Sequence, residues 1–96
     1  MKRTFVILYN PGPAWIEGKP VSEQPLQGHV DYMHGVYQTG ALLMGGPFAD
    51  NTGGLVVLDG VEKDEAQSIL SQDPAVIAHV LTAELHLWNV LTLDSE

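Results

Sequence analysis

Apolar and polar positions along the chain fall into short blocks whose periods predict alternating strands and helices. Thr4-Phe5-Val6-Ile7-Leu8-Tyr9 is rich in β-branched and aromatic residues and runs into the turn cluster Asn10-Pro11-Gly12-Pro13, the pattern of a buried strand. Leu26, Val30, Met33 and Tyr37 follow at helical spacing and predict a helix that begins between Val21 and Leu26 and runs to about Thr39. Ser22 is the expected N-cap, Pro25 is tolerated in the first turn, and Gly40 is placed to end the helix in a left-handed conformation. Ala41 to Phe48 is the expected second strand, closing on the corner Gly45-Gly46-Pro47-Phe48. Asp50 to Gly54 reads as a turn and Leu55 to Leu58 as a third strand, together making a hairpin. Glu62 to Ser71 carries Ala66, Ile69 and Leu70 on one face, a second amphipathic helix, and Pro74 to His79 is a further short helical piece. The last strand is expected over Thr82 to Leu93, where Ala83, Leu85, Leu87 and Asn89 alternate with Glu84, His86, Trp88 and Val90.

The resulting order, βαββαβ, folds most simply as a ferredoxin-like α+β sandwich, one antiparallel sheet with both helices on one face. Both faces of the strands carry apolar residues, so the face away from the helices needs cover, and a homodimer formed sheet to sheet supplies it. Asn10 to Pro20 interrupts this scheme with three prolines and two glycines around Ala14-Trp15-Ile16-Glu17. Its length marks it as a loop with a role of its own, such as a lid. Trp15 either covers the edge of the core or a dimer contact, or caps a pocket.

Ninety-six residues set the scale of one domain, residues 1–96, with a modest core. Twelve acidic residues against four basic ones give a net charge of −8, with Lys2 and Arg3 together near the start and only Lys19 and Lys63 beyond. Nucleic-acid binding needs a basic stripe to neutralise phosphates, and none is present, so nucleic acid and anionic membrane surfaces are poor partners. There is no cysteine, hence no disulfide framework and no thiol nucleophile. No apolar run approaches the ~20 residues that span a bilayer, and Thr4 to Tyr9 is too short for a signal-peptide core, so the default location is cytoplasmic.

Candidate chemistry centres on His29 and Asp73. His29 lies beside the apolar stripe of the first helix; alone it reads as a helix-flank histidine bonded to a carbonyl or to water. Its alternative is a general acid or base, since imidazole exchanges protons near neutral pH. Asp73 directly precedes Pro74, the pattern of an N-cap with proline at N1. A capping carboxylate can still turn one oxygen toward an imidazole and hold its tautomer. His29 and His34 are five apart and point ~140° apart on a helix, while His79 and His86 fall in other elements, so no metal site is expected. Gly45-Gly46-Pro47 has no Walker or Rossmann pattern near it, and read alone is a tight turn or a close packing point. No cofactor is expected.

The set formed by His29 early in the first helix, Gly45-Gly46-Pro47-Phe48 closing strand two, and Asp73-Pro74 after the second helix resembles the YciI-like (YCII-related) family, over nearly the whole chain from Phe5 to about Leu91. The resemblance implies a dimeric α/β barrel with a His–Asp pair in a pocket. The histidine falls on His29, the aspartate on Asp73, and the Gly-Pro element bordering the pocket on Gly46 and Pro47. One enzymatic branch of that family removes chloride from a chlorinated hydroxyquinol through such a pair. The long Asn10–Pro20 segment departs from the family pattern and reshapes the expected pocket mouth. The expectation is a cofactor-free lyase, isomerase or dehalogenase-type enzyme in which His29 and Asp73 move a proton on a small aromatic or enol-type molecule. Met44, Trp15 and the backbone at Gly45, Gly46 and Pro47 would hold that molecule. The alternative is a non-catalytic module that binds a small molecule in the same pocket.

Overall fold

The computed structural model describes residues 3–91. Four strands form one antiparallel sheet in the order β2-β3-β1-β4: β1 (Arg3–Pro11), β2 (Leu42–Pro47), β3 (Gly54–Val61) and β4 (Leu81–Leu87). Helices α1 (Gln27–Gln38), α2 (Lys63–Ser71) and the four-residue α3 (Pro74–Ile77) contribute to a core with one face of the sheet. This is the ferredoxin-like α+β arrangement expected from the element order.

Alternation along β1 sets the two faces. Phe5, Ile7 and Tyr9 are buried with Met33 and Val36 of α1, Ala66 and Leu70 of α2, and Ala75 of α3. Their cross-strand partners Leu58, Val56 and Gly54 share that face. Val6 and Leu8 point the other way, opposite Val57 and Leu55 of β3, and form an apolar patch with no helix over it.

Three local expectations are corrected. First, α1 begins at Gln27 rather than between Val21 and Leu26, and Ser22 caps nothing; Val21–Glu23 is a separate 3-10 turn. The reason is Pro25, which forces Gln24 into an extended backbone at ψ 155° and so prevents a continuous helix. Second, the buried face of α1 is carried by Met33 and Val36, whereas Val30 and Tyr37 are exposed. The spacing was helical, but its phase is set by what packs against the helix. Third, β4 stops at Leu87, which pairs with Phe5, and one more bond joins the Trp88 amide to the Thr4 carbonyl at 3.0 Å. Thr92 and Leu93, at the end of the expected strand, lie outside the described residues.

Gly40 ends α1 in the left-handed region at φ +88°. In β2, a Cβ on Gly45 would meet Cγ2 of Val56 at 2.9 Å, so glycine here lets the edge strand sit close to β3. A Cβ on Gly46 would meet nothing, so only one of the pair is held by packing. Among the described residues, no helix is long and apolar enough to cross a membrane.

Candidate active site

His29 stands in the first turn of α1, and Asp73 is the N-cap of α3. Pro74 at N1 removes one amide that would otherwise lack a partner, and Asp73 Oδ1 accepts from the Ala75 amide at 2.9 Å. The cap orients the carboxylate. The second oxygen, Oδ2, lies 2.6 Å from Nδ1 of His29, with the Asp73 side chain fully buried and that of His29 17% exposed. Capping and histidine binding therefore use different oxygens of one side chain. The distance is short even for a charge-assisted hydrogen bond. With Nδ1 committed to Asp73, Nε2 is the nitrogen left for a molecule beside the ring.

Two features bring α1 close enough to α3 for this contact. Gly28, the neighbour of His29, packs on Pro74, where even a Cβ would come within 3.4 Å of the proline ring. The Tyr32 hydroxyl donates to the Ile69 carbonyl at 2.9 Å, tying α1 to α2.

His29 borders a cavity of about 800 Å³ between α1, the β2–β3 hairpin and the Pro-rich segment. All five residues expected to contact a ligand, Trp15, Met44, Gly45, Gly46 and Pro47, line this cavity together with His29. Val30 and Tyr37, which the sequence pattern assigned to the core, line it as well. Asp73 does not reach the cavity wall and acts from behind the imidazole. Among the described residues, no lysine or arginine lines the cavity. A wall that is mainly apolar with a few polar groups is the usual form of a small-molecule site.

Sequence reasoning missed two residues here. Tyr9, placed correctly in β1, is 3% exposed and meets the His29 ring edge to face, with centroids 5.2 Å apart and planes at 78°. Gln24 is buried, and its side chain holds the Pro-rich segment: it accepts from the Ile16 amide at 2.8 Å and donates to the Ile16 and Lys19 carbonyls at 2.8 and 2.9 Å. The segment is further anchored by amide bonds from Gly12 to the Val80 carbonyl and from Ala14 to the His79 carbonyl. Trp15 therefore sits half-buried against the core on a braced strap. No signal in the sequence distinguishes Gln24 from a surface glutamine; its role comes from the loop that folds onto it.

Of the other histidines, His34 lines the same cavity without joining the pair, His86 Nε2 lies 3.3 Å from Glu84 on β4, and His79 follows α3 with φ +64°. Among the described residues, no three histidine, cysteine or acidic side chains converge as a metal site would require.

The fold is shared with a solved structure, the 5-chloro-2-hydroxyhydroquinone dehydrochlorinase of Burkholderia phenoliruptrix AC1100 in complex with 2,5-dihydroxybenzoquinone. The TM-score is 0.68 at 20% identity, covering 90% of this chain and 93% of that one. Among curated proteins, none matches the chain by sequence. The model of the YCII-related domain matches residues 4–89, which include His29, the Gly-Gly-Pro corner and Asp73. The chain belongs to the YCII-related family.

Proposed function

We propose that the chain is an enzyme that moves a proton on a small, uncharged aromatic or enol-type molecule, with His29 as general acid or base and Asp73 as the group that orients it. The observation that carries this reading is the 2.6 Å contact between His29 Nδ1 and a fully buried Asp73, made at the wall of a cavity large enough for a ring-sized ligand. A carboxylate on Nδ1 fixes the tautomer with the proton on that nitrogen, so Nε2 presents its lone pair to the cavity. It also stabilises the imidazolium formed when Nε2 takes a proton. The electron pair left on the ligand then either shifts a double bond, which is isomerisation, or expels a leaving group, which is elimination. Neither step calls on a redox cofactor.

The cavity wall supports an uncharged substrate. Among the described residues no lysine or arginine lines it, so a carboxylate or phosphate would meet no permanent positive charge there, only the imidazoles of His29 and His34. The relative of known structure is described as a dehydrochlorinase and holds a dihydroxybenzoquinone, a hydroxylated ring of the class proposed here.

The working unit in this proposal is a homodimer. Val6, Leu8 and Leu55 are only partly covered on the sheet face that no helix protects, and a second copy laid on that face would bury them.

Screening phenolic and enol-type compounds against the native chain and His29→Ala tests the reading. The expected result is product from the native chain, and loss of product with retained ligand binding in the variant. Binding with no product from either chain would replace the enzyme with a module that only holds the ligand.

A further inference from the structure

The hydroxyl of Tyr9 is out of place for a core group. It is fully buried, and among the described residues it is the one such side-chain atom with no hydrogen-bond partner. An orphaned buried hydroxyl is destabilising and calls for an explanation. Its surroundings supply one. The ring packs edge to face on His29, and the hydroxyl feels the negative charge of the Asp73 carboxylate that His29 holds. Burial first, and Asp73 second, hold the phenol proton in place far beyond its ordinary range, so the group is a donor at every working pH.

Asp73 has capacity for such a donor. Each carboxylate oxygen offers two lone pairs, and the structure uses one on each: Oδ1 for the Ala75 amide and Oδ2 for His29. The need is greatest when His29 is neutral. The carboxylate is then a fully buried negative charge facing no positive partner, the state in which burial is most unfavourable. A third donor would stabilise that charge and leave Nε2 unprotonated and ready to act as a base.

We propose that Tyr9 is a positioning residue for the His29–Asp73 pair: its hydroxyl hydrogen-bonds Asp73 more strongly when the imidazole is neutral than when His29 is charged. This inference rests on reading His29 and Asp73 as a proton-transfer pair. It adds that the balance between the two protonation states of His29 is set from the central strand of the sheet. Tyr9 also lines the cavity, but in this scheme it acts through Asp73 and not on the substrate.

The test is nitrogen NMR of the histidine rings at one fixed pH in the native chain, Tyr9→Phe, Asp73→Asn and the double variant. Phenylalanine keeps the ring contact and removes only the hydroxyl. Because the bond to the buried charge is stronger in the neutral state of His29 but not lost in the charged one, the imidazolium-to-imidazole ratio of His29 should rise about threefold to tenfold in Tyr9→Phe. In the Asp73→Asn background the same substitution should change nothing. An unchanged ratio in Tyr9→Phe overturns the inference and leaves the pair intact. A Tyr9→Phe effect that persists without the Asp73 charge also overturns it, since the hydroxyl would then act on His29 directly. An Asp73→Asn variant whose ratio equals the native one removes the pair, and this inference with it. Should Asp73→Asn fail to fold, the Tyr9→Phe ratio by itself still decides.

Discussion

Nδ1 of His29 and Oδ2 of Asp73 stand 2.6 Å apart although 44 residues separate them in the chain. Each residue belongs to the first turn or the cap of its helix, so the contact joins the N-terminal ends of α1 and α3 above the sheet. Helix starts suit this task, because side chains tilt toward the N-terminus of a helix, and at α3 the cap also fixes the backbone. Here the cap oxygen and the histidine-binding oxygen belong to one carboxylate, so the fold of α3 and the orientation of the imidazole depend on the same residue.

Turnover should separate from binding at His29. General acid–base catalysis by one side chain is worth about 10²–10⁴-fold, so His29→Ala should lose that much of kcat on any substrate the screen yields, with ligand affinity little changed. Steady-state kinetics beside calorimetric titration of the same ligand checks both halves.

Asp73 should show two separable roles. Asp73→Asn keeps an oxygen for the Ala75 amide and so keeps the cap, whereas Asp73→Ala loses it, at a typical cost of about 0.5–2 kcal/mol. Urea melts should therefore place the alanine variant below the asparagine variant by about 1 kcal/mol, while both lose the pairing with His29. Equal stability of the two would mean that the cap contributes nothing.

Tyr9 should make the protein lose stability in alkali. Its phenol is held protonated in the folded chain but ionises near its ordinary value when unfolded, so the unfolded state binds fewer protons above that pH. The stabilisation is complete below pH ~10 and declines by about 1.4 kcal/mol per pH unit above it. Tyr9→Phe should remove that part of the slope. Denaturant melts of both chains between pH 9 and about 11.5 measure it. Tyr32 is also raised, by burial first and by Asp73 second, and contributes a smaller slope present in both chains.

Gln24 should govern the order of the Pro-rich strap. Gln24→Ala strands the Ile16 amide and the Lys19 carbonyl, a loss of about 1–3 kcal/mol for each group that stays buried without a partner, while the Ile16 carbonyl keeps the Lys19 amide. Amide exchange at Ile16 should accelerate in the variant while exchange at Val56 and Leu58 in the core strand holds. Unaltered protection at Ile16 would show that the bonds from Gly12 and Ala14 are enough to brace the strap.

The unprotected sheet face should hold two copies together. Light scattering at micromolar concentration should give a dimer mass for the native chain, and Leu8→Glu, which sets a charge in the middle of that face, should give a monomer. A native monomer mass would remove the dimer from the proposal.

The amino-acid sequence by itself determined the element order, and with it the fold, because alternation and helical spacing are local properties. Phe5-Val6-Ile7-Leu8-Tyr9 reads as a strand whatever lies beside it, and the Asp73-Pro74 cap is written in two adjacent residues. The ordered set of His29, Gly45-Gly46-Pro47 and Asp73 was also legible, and the family match over residues 4–89 agrees with it. What the tertiary structure decided is everything that depends on phase and distance. The face that α1 buries was set by packing, so Val30 and Tyr37 line the cavity although their spacing suited a core. The start of α1 was decided by the extended backbone before Pro25, and β4 ends at Leu87, short of the strand its alternation suggested. The meeting of His29 with Asp73 and the packing of Tyr9 on the His29 ring join residues far apart in the chain, and the burial of Gln24 depends on how the strap folds back over it. No local pattern records such contacts; they exist because α1 and α3 are laid on the same face of one sheet, which brings their first turns together over Tyr9.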